Sequence, residues 1–212
     1  MARIAVIGGT GYAGRNIVAE AVNRGHTVVS VARTLPAERV EGVTYVEGTL
    51  LDVPSLVAEL EGVDVVVVAT SPRGDMAGKM RPAIAELVAA LPADVRVGVV
   101  GGAGGSLSEP GGARLVDLDF PEEYKGEALE AIGVLDDLRA TPAERDWFFV
   151  HPAEIFGAWN PGERTGSYRT GGDVVVRDAE GVSNLSGADL GVVFVDEIEQ
   201  PKHSRERFTV GY

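Results

Sequence analysis

The fold is decided by residues 3–22, which read RIAVIGGTGYAGRNIVAEAV. An apolar strand, Arg3 to Ile7, turns through three glycines directly into a helix, and this order predicts a β-α unit. Gly8 allows a tight turn, Gly11 lets the backbone approach a ligand without a Cβ in the way, and Gly14 lets the helix pack closely on the strand. The free N–H groups and the positive end of the helix dipole then favour the diphosphate of a dinucleotide.

The spacing of these glycines is Gly-x-x-Gly-x-x-Gly, which differs from the Gly-x-Gly-x-x-Gly of the commonest dinucleotide fingerprint. Gly25 at the end of the helix and an apolar strand at 27–32 complete a β-α-β unit, which strengthens the prediction. Thr10, Tyr12 and Ala13 lie in the same turn, and we expect them to contact the cofactor as well. The alternative is a glycine-rich structural turn that binds no ligand.

Composition limits the classes of function that are open to the chain. Its 212 residues suffice for one sizeable α/β core, and we expect a single domain over 1–212. The net charge of −13 argues against a nucleic-acid partner, because such surfaces need clustered Lys and Arg. The absence of cysteine excludes disulfides, thiolate metal sites and a cysteine nucleophile, and no metal site is predicted. The first strand leaves no room for a signal peptide, and no apolar run is long enough to cross a bilayer, so we expect no membrane association and a cytoplasmic location.

Strand-like and helix-like segments alternate from residue 3 to about residue 150. Most of the strand-like runs are continuously apolar, which indicates a parallel sheet covered by helices on both faces. The predicted fold is therefore α/β, a Rossmann-type doubly wound parallel sheet with a cofactor-binding core over 1–150. The predicted strands are 4–7, 27–32, 43–47, 64–69, 95–100 and 147–150, and the predicted helices are 12–24, 54–60, 76–91 and 121–139.

The pattern changes after residue 150 to one rich in Gly, Pro and Arg. We expect a hairpin around 168–177, a helix over 188–199 and a last strand at 207–210. Because this tail is too small to fold alone, 151–212 is interpreted as a small substrate cap that is contiguous with the core. The ligand crevice should lie at the carboxyl ends of the parallel strands.

Three motifs resemble those of a known family. They are GGTGYAG at 8–14, VVGGAGGSL at 99–107 and PGERTGSYR at 161–169. In these motifs the chain resembles the atypical short-chain dehydrogenase/reductase superfamily, in particular the NADH-flavin reductase group related to NmrA-like proteins and biliverdin reductase B. The resemblance implies a Rossmann fold that binds NAD(P)(H). It does not decide the reaction, because related groups include both reductases and cofactor sensors without catalytic activity.

The residue after the second strand distinguishes the two nicotinamide cofactors. An acid there accepts from the free 2′-hydroxyl of NAD(H), whereas Arg33 is suited to pair with the 2′-phosphate of NADP(H), so NADP(H) is favoured over NAD(H). Related proteins often carry Asp after the glycine that ends the third strand, where it meets the adenine amine. This chain has Thr49 there, so Thr49 and the backbone of Leu50 are the expected substitutes. The remaining predicted cofactor contacts follow the fourth strand and are Ala69, Thr70 and Ser71.

The standard catalytic pair of the superfamily, Tyr-x-x-x-Lys, is absent. Tyr124 is followed directly by Lys125, and adjacent helical residues point about a quarter-turn apart, so the lysine cannot lower the pKa of the phenol in the usual way. Tyr124 stays a candidate proton donor without its lysine. Ser106 could donate to the substrate or simply cap its loop. His151 could donate a proton from a neutral imidazole, although a lone His before Pro is more often structural.

The missing pair favours an acceptor that needs little acid catalysis. Hydride transfer to a flavin, quinone or similar planar acceptor requires mainly the alignment of two rings, so flavin is expected as a substrate. Phe156 and Arg164 in the cap are the predicted substrate contacts, suited to a flat anionic ligand. The alternatives are an NADP(H) sensor of the NmrA-like type and a sugar-nucleotide epimerase or dehydratase. We expect the protein to bind a small-molecule substrate and to be either a monomer or a homodimer.

Overall fold

A single eight-stranded sheet forms the centre of the computed structural model, which describes residues 1–212. The strand order is β3-β2-β1-β4-β5-β6-β8-β7, with all neighbours parallel except the final β8-β7 pair. The predicted doubly wound Rossmann-type fold is therefore confirmed. The strands are β1 (Arg3–Ile7), β2 (Thr27–Ala32), β3 (Val43–Glu47), β4 (Val65–Val68), β5 (Arg96–Val100), β6 (Trp147–His151), β7 (Arg169–Thr170) and β8 (Glu206–Gly211).

Helices cover both faces of the sheet, as the continuous apolar strands predict. Alternate residues of β1 divide between the two layers, because successive strand side chains point to opposite faces. Ala5 and Ile7 join the apolar cluster of α2, α3 and α4, whereas Ile4 and Val6 join that of α1 and α5. The helices are α1 (Tyr12–Asn23), α2 (Val53–Glu59), α3 (Met80–Ala90), α4 (Glu122–Arg139) and α5 (Gly187–Glu199).

The position of the ligand crevice follows from the strand order. The chain winds outward from β1 to β3 and then returns to place β4 on the other side of β1. At such a reversal the loops after neighbouring strands diverge to opposite faces and leave a crevice at the carboxyl ends of the strands. The loops after β1, β2, β4, β5 and β6 therefore surround one site.

The helix predicted over 76–91 is wrong at its start. The chain forms a 3₁₀ turn at Gly74–Met76, and α3 begins only at Met80. Gly78 separates the two, because its φ of +72° is a left-handed conformation that cannot continue a helix. The segment from 71 to 79 is thus a loop over the carboxyl edge of the sheet.

The C-terminal segment joins the main body in a way that the sequence did not predict. The hairpin expected around 168–177 does not form, because β7 pairs instead with the distant β8. The N–H of Leu107, in the loop after β5, donates to the carbonyl of Asp173, and the N–H of Val175 donates to the carbonyl of Leu107. β8 extends the parallel sheet beside β6, and α5 packs on α1. Only 152–186 of this segment is predominantly irregular, and it contacts α1, α5 and the loop after β5. None of the helices is both long enough and apolar enough to cross a bilayer.

Candidate functional site

The turn between β1 and α1 has the close packing that its glycines predict. Gly8 has a φ of +83°, and a Cβ there would lie 2.7 Å from the carbonyl oxygen of Ala69. A Cβ on Gly14 would overlap the carbonyl oxygen of Gly8, so the helix could not start where it does. The backbone N–H groups of Gly8 and Gly9 both donate to Val31 at the end of β2, at 2.8 and 3.1 Å.

Four backbone N–H groups of this turn donate to no acceptor in the protein. They belong to Thr10, Tyr12, Ala13 and Gly14. Gly11, the N-cap residue of α1, supplies no side-chain cap, and the first helical turn carries no acid. Free donors at the positive end of a helix are the groups that bind a diphosphate. The residues present therefore fit a dinucleotide at this point.

The side chain of Tyr12 connects the turn to the segment after β6. Its hydroxyl accepts from the N–H of Gly187 at 2.9 Å and lies 3.2 Å from the carbonyl of Pro161. Its ring lies 5.2 Å from that of Phe156. Phe156, a predicted substrate contact, is thus placed beside the glycine turn.

The loops after β2, β3 and β4 flank the glycine turn. Arg33 directly follows β2 and pairs through Nη1 with Asp75, at 3.4 Å. Thr49 uses its hydroxyl to accept from the N–H of Leu51, while the side chain of Leu50 is buried in the core. Ala69 packs on Gly8, and the buried Thr70 hydroxyl has no hydrogen-bond partner. Ser71 follows at the exposed start of the next loop.

The ends of β5 and β6 bring two predicted catalytic residues into one region. The ring of His151 packs on Gly105, the residue before Ser106. The Oγ of Ser106 and the Nε2 of His151 are both buried, and neither has a partner in the protein. Unpaired buried polar atoms are costly, and both side chains are almost completely buried, so these two atoms set this region apart from the apolar core.

The environment of His151 determines what its imidazole can do. Nδ1 lies 2.7 Å from the carbonyl oxygen of Gly102, which can only accept, so Nδ1 carries the proton and Nε2 is an acceptor. Burial lowers the pKa of His151 to about 4, although the Gly102 carbonyl favours the charged form. At neutral pH this imidazole therefore accepts a hydrogen bond through Nε2. The expectation that it donates a proton does not agree with this geometry.

Tyr124 lies on the first turn of α4, and its side chain is about half exposed. One helical turn later, Ala128 packs against Gly104 of the loop that carries Ser106. Lys125 lies 3.8 Å from Glu122, on the exposed surface, so it does not assist the tyrosine. The ring of Tyr124 faces instead the guanidinium of Arg73, at 5.9 Å.

Arg164, the second predicted substrate contact, binds Glu20 on α1 rather than the region of His151. Its Nη2 lies 2.8 Å from Glu20 Oε1. The next two residues, Thr165 and Gly166, donate their N–H groups to Asp189, a fully buried carboxylate on α5. The motif at 161–169 thus anchors the irregular segment to the helix layer.

A family model described as NAD(P)H-binding matches residues 8–201, nearly the whole chain. The chain belongs to this NAD(P)H-binding family. The predicted nicotinamide cofactor is confirmed at this level, and the free amides of the β1-α1 turn are where the family's ligand fits.

Several proteins are similar to this NAD(P)H-binding chain over nearly its whole length. The uncharacterised protein YwnB of Bacillus subtilis is 37% identical over 98% of this chain and 97% of its own. A candidate NADH-flavin reductase from Streptococcus pneumoniae has a solved structure similar to this one, with 33% identity, a TM-score of 0.84 and coverage of 100% and 99%. A candidate epimerase from Bacteroides thetaiotaomicron has 33% identity, a TM-score of 0.87 and coverage of 100% and 97%. The resemblance to atypical short-chain dehydrogenases/reductases is confirmed.

Sequence reasoning missed one residue that shapes the site of this NAD(P)H-binding protein. Arg207 on β8 donates from Nη1 to the carbonyl of Gly105, at 2.6 Å, and from Nε to Asp173. It thereby holds the loop that presents Ser106. No local pattern could have identified it, because its partners lie 102 and 34 residues away in the chain.

Proposed function

We propose that this protein is an NADP(H)-preferring oxidoreductase that transfers hydride to a flavin, a quinone or a similar planar acceptor. Membership of the NAD(P)H-binding family and the similarity to a candidate NADH-flavin reductase support the cofactor and the reaction class. The observation that carries the proposal is that a neutral His151 acceptor and the Ser106 hydroxyl both lie near the ends of β5 and β6, each buried and without a hydrogen-bond partner in the protein.

The proposed roles of the residues divide between binding and positioning. The free amides of Thr10, Tyr12, Ala13 and Gly14 would hold the diphosphate. A bound reduced nicotinamide supplies the hydride. Ser106 would then donate its hydroxyl proton in a hydrogen bond to the acceptor. Because that hydroxyl is buried, such a bond is stronger than it would be in water.

The lack of a nearby acid favours acceptors of a particular chemistry. A ketone or an aldehyde needs a proton on the developing alkoxide, and the superfamily's usual tyrosine-lysine source is not assembled here. An oxidised flavin or quinone accepts hydride into a conjugated ring and can take its proton from solvent. Alignment of the two rings then supplies most of the rate enhancement. A sugar-nucleotide epimerase is disfavoured for the same reason, despite the similarity to a candidate epimerase.

Turnover of NADPH with free flavin mononucleotide and with a water-soluble quinone tests the proposal. We expect acceptor-dependent oxidation that falls about tenfold in kcat/KM in Ser106→Ala, because one hydrogen bond to the reacting group is lost. Ser108→Ala, two residues along the same loop, is the matched control and should leave turnover unchanged. Tight binding of NADPH without turnover by either acceptor would refute the reductase and favour the sensor.

The proposed preference for NADP(H) rests on Arg33. Its guanidinium is 64% exposed and follows β2, where the 2′ position of the adenosine ribose is expected. Arg33→Ala should weaken NADPH binding about 10- to 100-fold, as expected for the loss of one charge-assisted contact, and NADH binding by less than twofold. Arg139→Ala, which removes an exposed arginine paired with Asp136, is the control. Equal losses for both cofactors in calorimetry would contradict the role of Arg33. We place the protein in the cytoplasm as part of the same proposal.

A further inference from the structure

The guanidinium that we assign to the 2′-phosphate already has an anionic neighbour in the protein. Arg33 Nη1 lies 3.4 Å from Asp75 Oδ2, and neither side chain has another hydrogen-bond or ion-pair partner. The two side chains are 64% and 79% exposed. An exposed pair at this distance contributes little to stability, so it can exchange for another partner.

The pair spans the nucleotide crevice. Arg33 follows β2 and Asp75 follows β4, while β1 lies between those two strands in the sheet. The contact therefore crosses the edge of the sheet where the β1-α1 turn begins. A ligand held by that turn at its diphosphate would meet both side chains at its adenosine side.

Asp75 is held in this place from the opposite side. Two residues earlier, Arg73 binds both carboxylate oxygens of Glu127 on α4, at 2.9 and 2.7 Å. Three residues later, the N–H of Gly78 donates to Glu130 on the same helix, at 2.8 Å. The loop is thus fastened to α4, and the weak contact with Arg33 is the part that can open.

We propose that Asp75 is a specificity-determining residue that reduces the preference for NADPH over NADH. This inference rests on the proposed role of Arg33. The carboxylate competes with the 2′-phosphate for the guanidinium and repels that phosphate, whereas it accepts a hydrogen bond from the 2′-hydroxyl of NADH. The pair thereby offers a cation for one cofactor and an acceptor for the other, so the preference for NADPH is smaller than Arg33 alone would give.

Calorimetric titration of NADPH and NADH into Asp75→Asn tests this assignment. Asparagine keeps the size and the hydrogen-bonding capacity but removes the charge, so we expect NADPH to bind about 3- to 10-fold tighter and NADH to change by less than about threefold. Asp136→Asn is the matched control, since it neutralises another exposed Asp-Arg pair, at 3.3 Å, on α4. It should leave both dissociation constants unchanged.

The outcomes separate this inference from the proposed function. If the wild-type protein binds both nucleotides and Asp75→Asn leaves the ratio of their dissociation constants unchanged, Asp75 does not select between them. If Asp75→Asn binds NADPH and NADH more tightly by the same factor, the inference would also be overturned, because such a result would show a general effect of removing negative charge. Failure of the wild-type protein to bind either nucleotide would instead overturn the proposed function itself.

Discussion

His151 gives the sharpest physical prediction, because its buried imidazole should make the stability of the protein depend on pH. Its pKa is lowered from 6.5 to about 4, chiefly by burial. In the unfolded chain the same imidazole regains its ordinary pKa. Below pH 6.5 the unfolded state therefore binds a proton that the folded state does not bind. The free energy of unfolding decreases for this reason as the pH falls toward about 4.

The size of the effect follows from the difference between the two pKa values. At about 1.4 kcal/mol for each pH unit, the whole difference corresponds to about 3.5 kcal/mol, lost progressively as the pH falls through 6.5 to below about 4. Between pH 7.5 and pH 5.0 the loss attributable to His151 is about 2 kcal/mol. His151→Gln does not titrate in this range and should lack this part of the pH dependence.

Urea unfolding of the wild-type protein and of His151→Gln at both pH values measures this difference. Carboxylates also titrate in this range and affect both proteins. The decisive quantity is therefore the change in unfolding free energy of the wild-type protein between the two pH values, minus the same change for His151→Gln. Nitrogen chemical shifts of the wild-type protein provide a second measurement, which is practical because the chain has three histidines. An imidazole titrating near 6.5 at position 151, or one protonated at Nε2, would refute the reasoning.

Three further predictions concern the scaffold of the site. Gly14→Ala should destabilise the protein by more than the roughly 1–3 kcal/mol of ordinary overpacking, because the new Cβ would meet backbone atoms, and it should abolish cofactor binding. The control is Gly126→Ala on α4, whose Cβ would meet no atom. We expect it to stabilise the protein by about 0.5–1 kcal/mol, and thermal unfolding measures both variants. Asp189→Asn should lower the free energy of unfolding in urea by about 2 kcal/mol at pH 7. Burial raises the pKa of Asp189, but hydrogen bonds, led by the one from Tyr212, lower that pKa overall. The ionised carboxylate therefore stabilises the fold above the ordinary pKa, and because this stabilisation is lost as the pH falls through the lowered pKa, the difference between variant and wild type should shrink in acid. Tyr12→Phe should cost about 1 kcal/mol in the same assay, since the N–H of Gly187 loses its shorter hydrogen bond and keeps only the 3.4 Å contact with the carbonyl of Pro161.

The sequence was informative wherever structure depends on local pattern. The apolar run at Val65–Val68 is buried throughout, as a strand with helices on both faces must be. The glycine turn follows in the same way, because the φ of Gly8 and the close approach at Gly14 exclude any side chain. These two features suffice for the fold class and for the proposed position of the diphosphate.

The remainder depends on contacts between distant residues. The composition around 168–177 suits a hairpin, yet β7 pairs with β8, some forty residues later, because that edge of the sheet is available. The partnership of Arg33 with Asp75 and that of His151 with Gly102 likewise join separate loops. The residue types alone marked His151 as a candidate site residue, but only the carbonyl beside Nδ1 shows that it accepts rather than donates.

The double hydrogen bond at Val31 has a consequence for recombining this chain with its relatives. One carbonyl on β2 holds the N–H groups of both Gly8 and Gly9, and Arg33 stands two residues further on. In a chimera whose crossover falls between 9 and 31, the glycine turn and the carbonyl of residue 31 come from different parents. The turn could then shift relative to β2. Residues 1–33 should accordingly be exchanged as one block, and the contribution of Arg33 to coenzyme preference will be inherited with that block, whereas the contribution of Asp75 will come from the other parent.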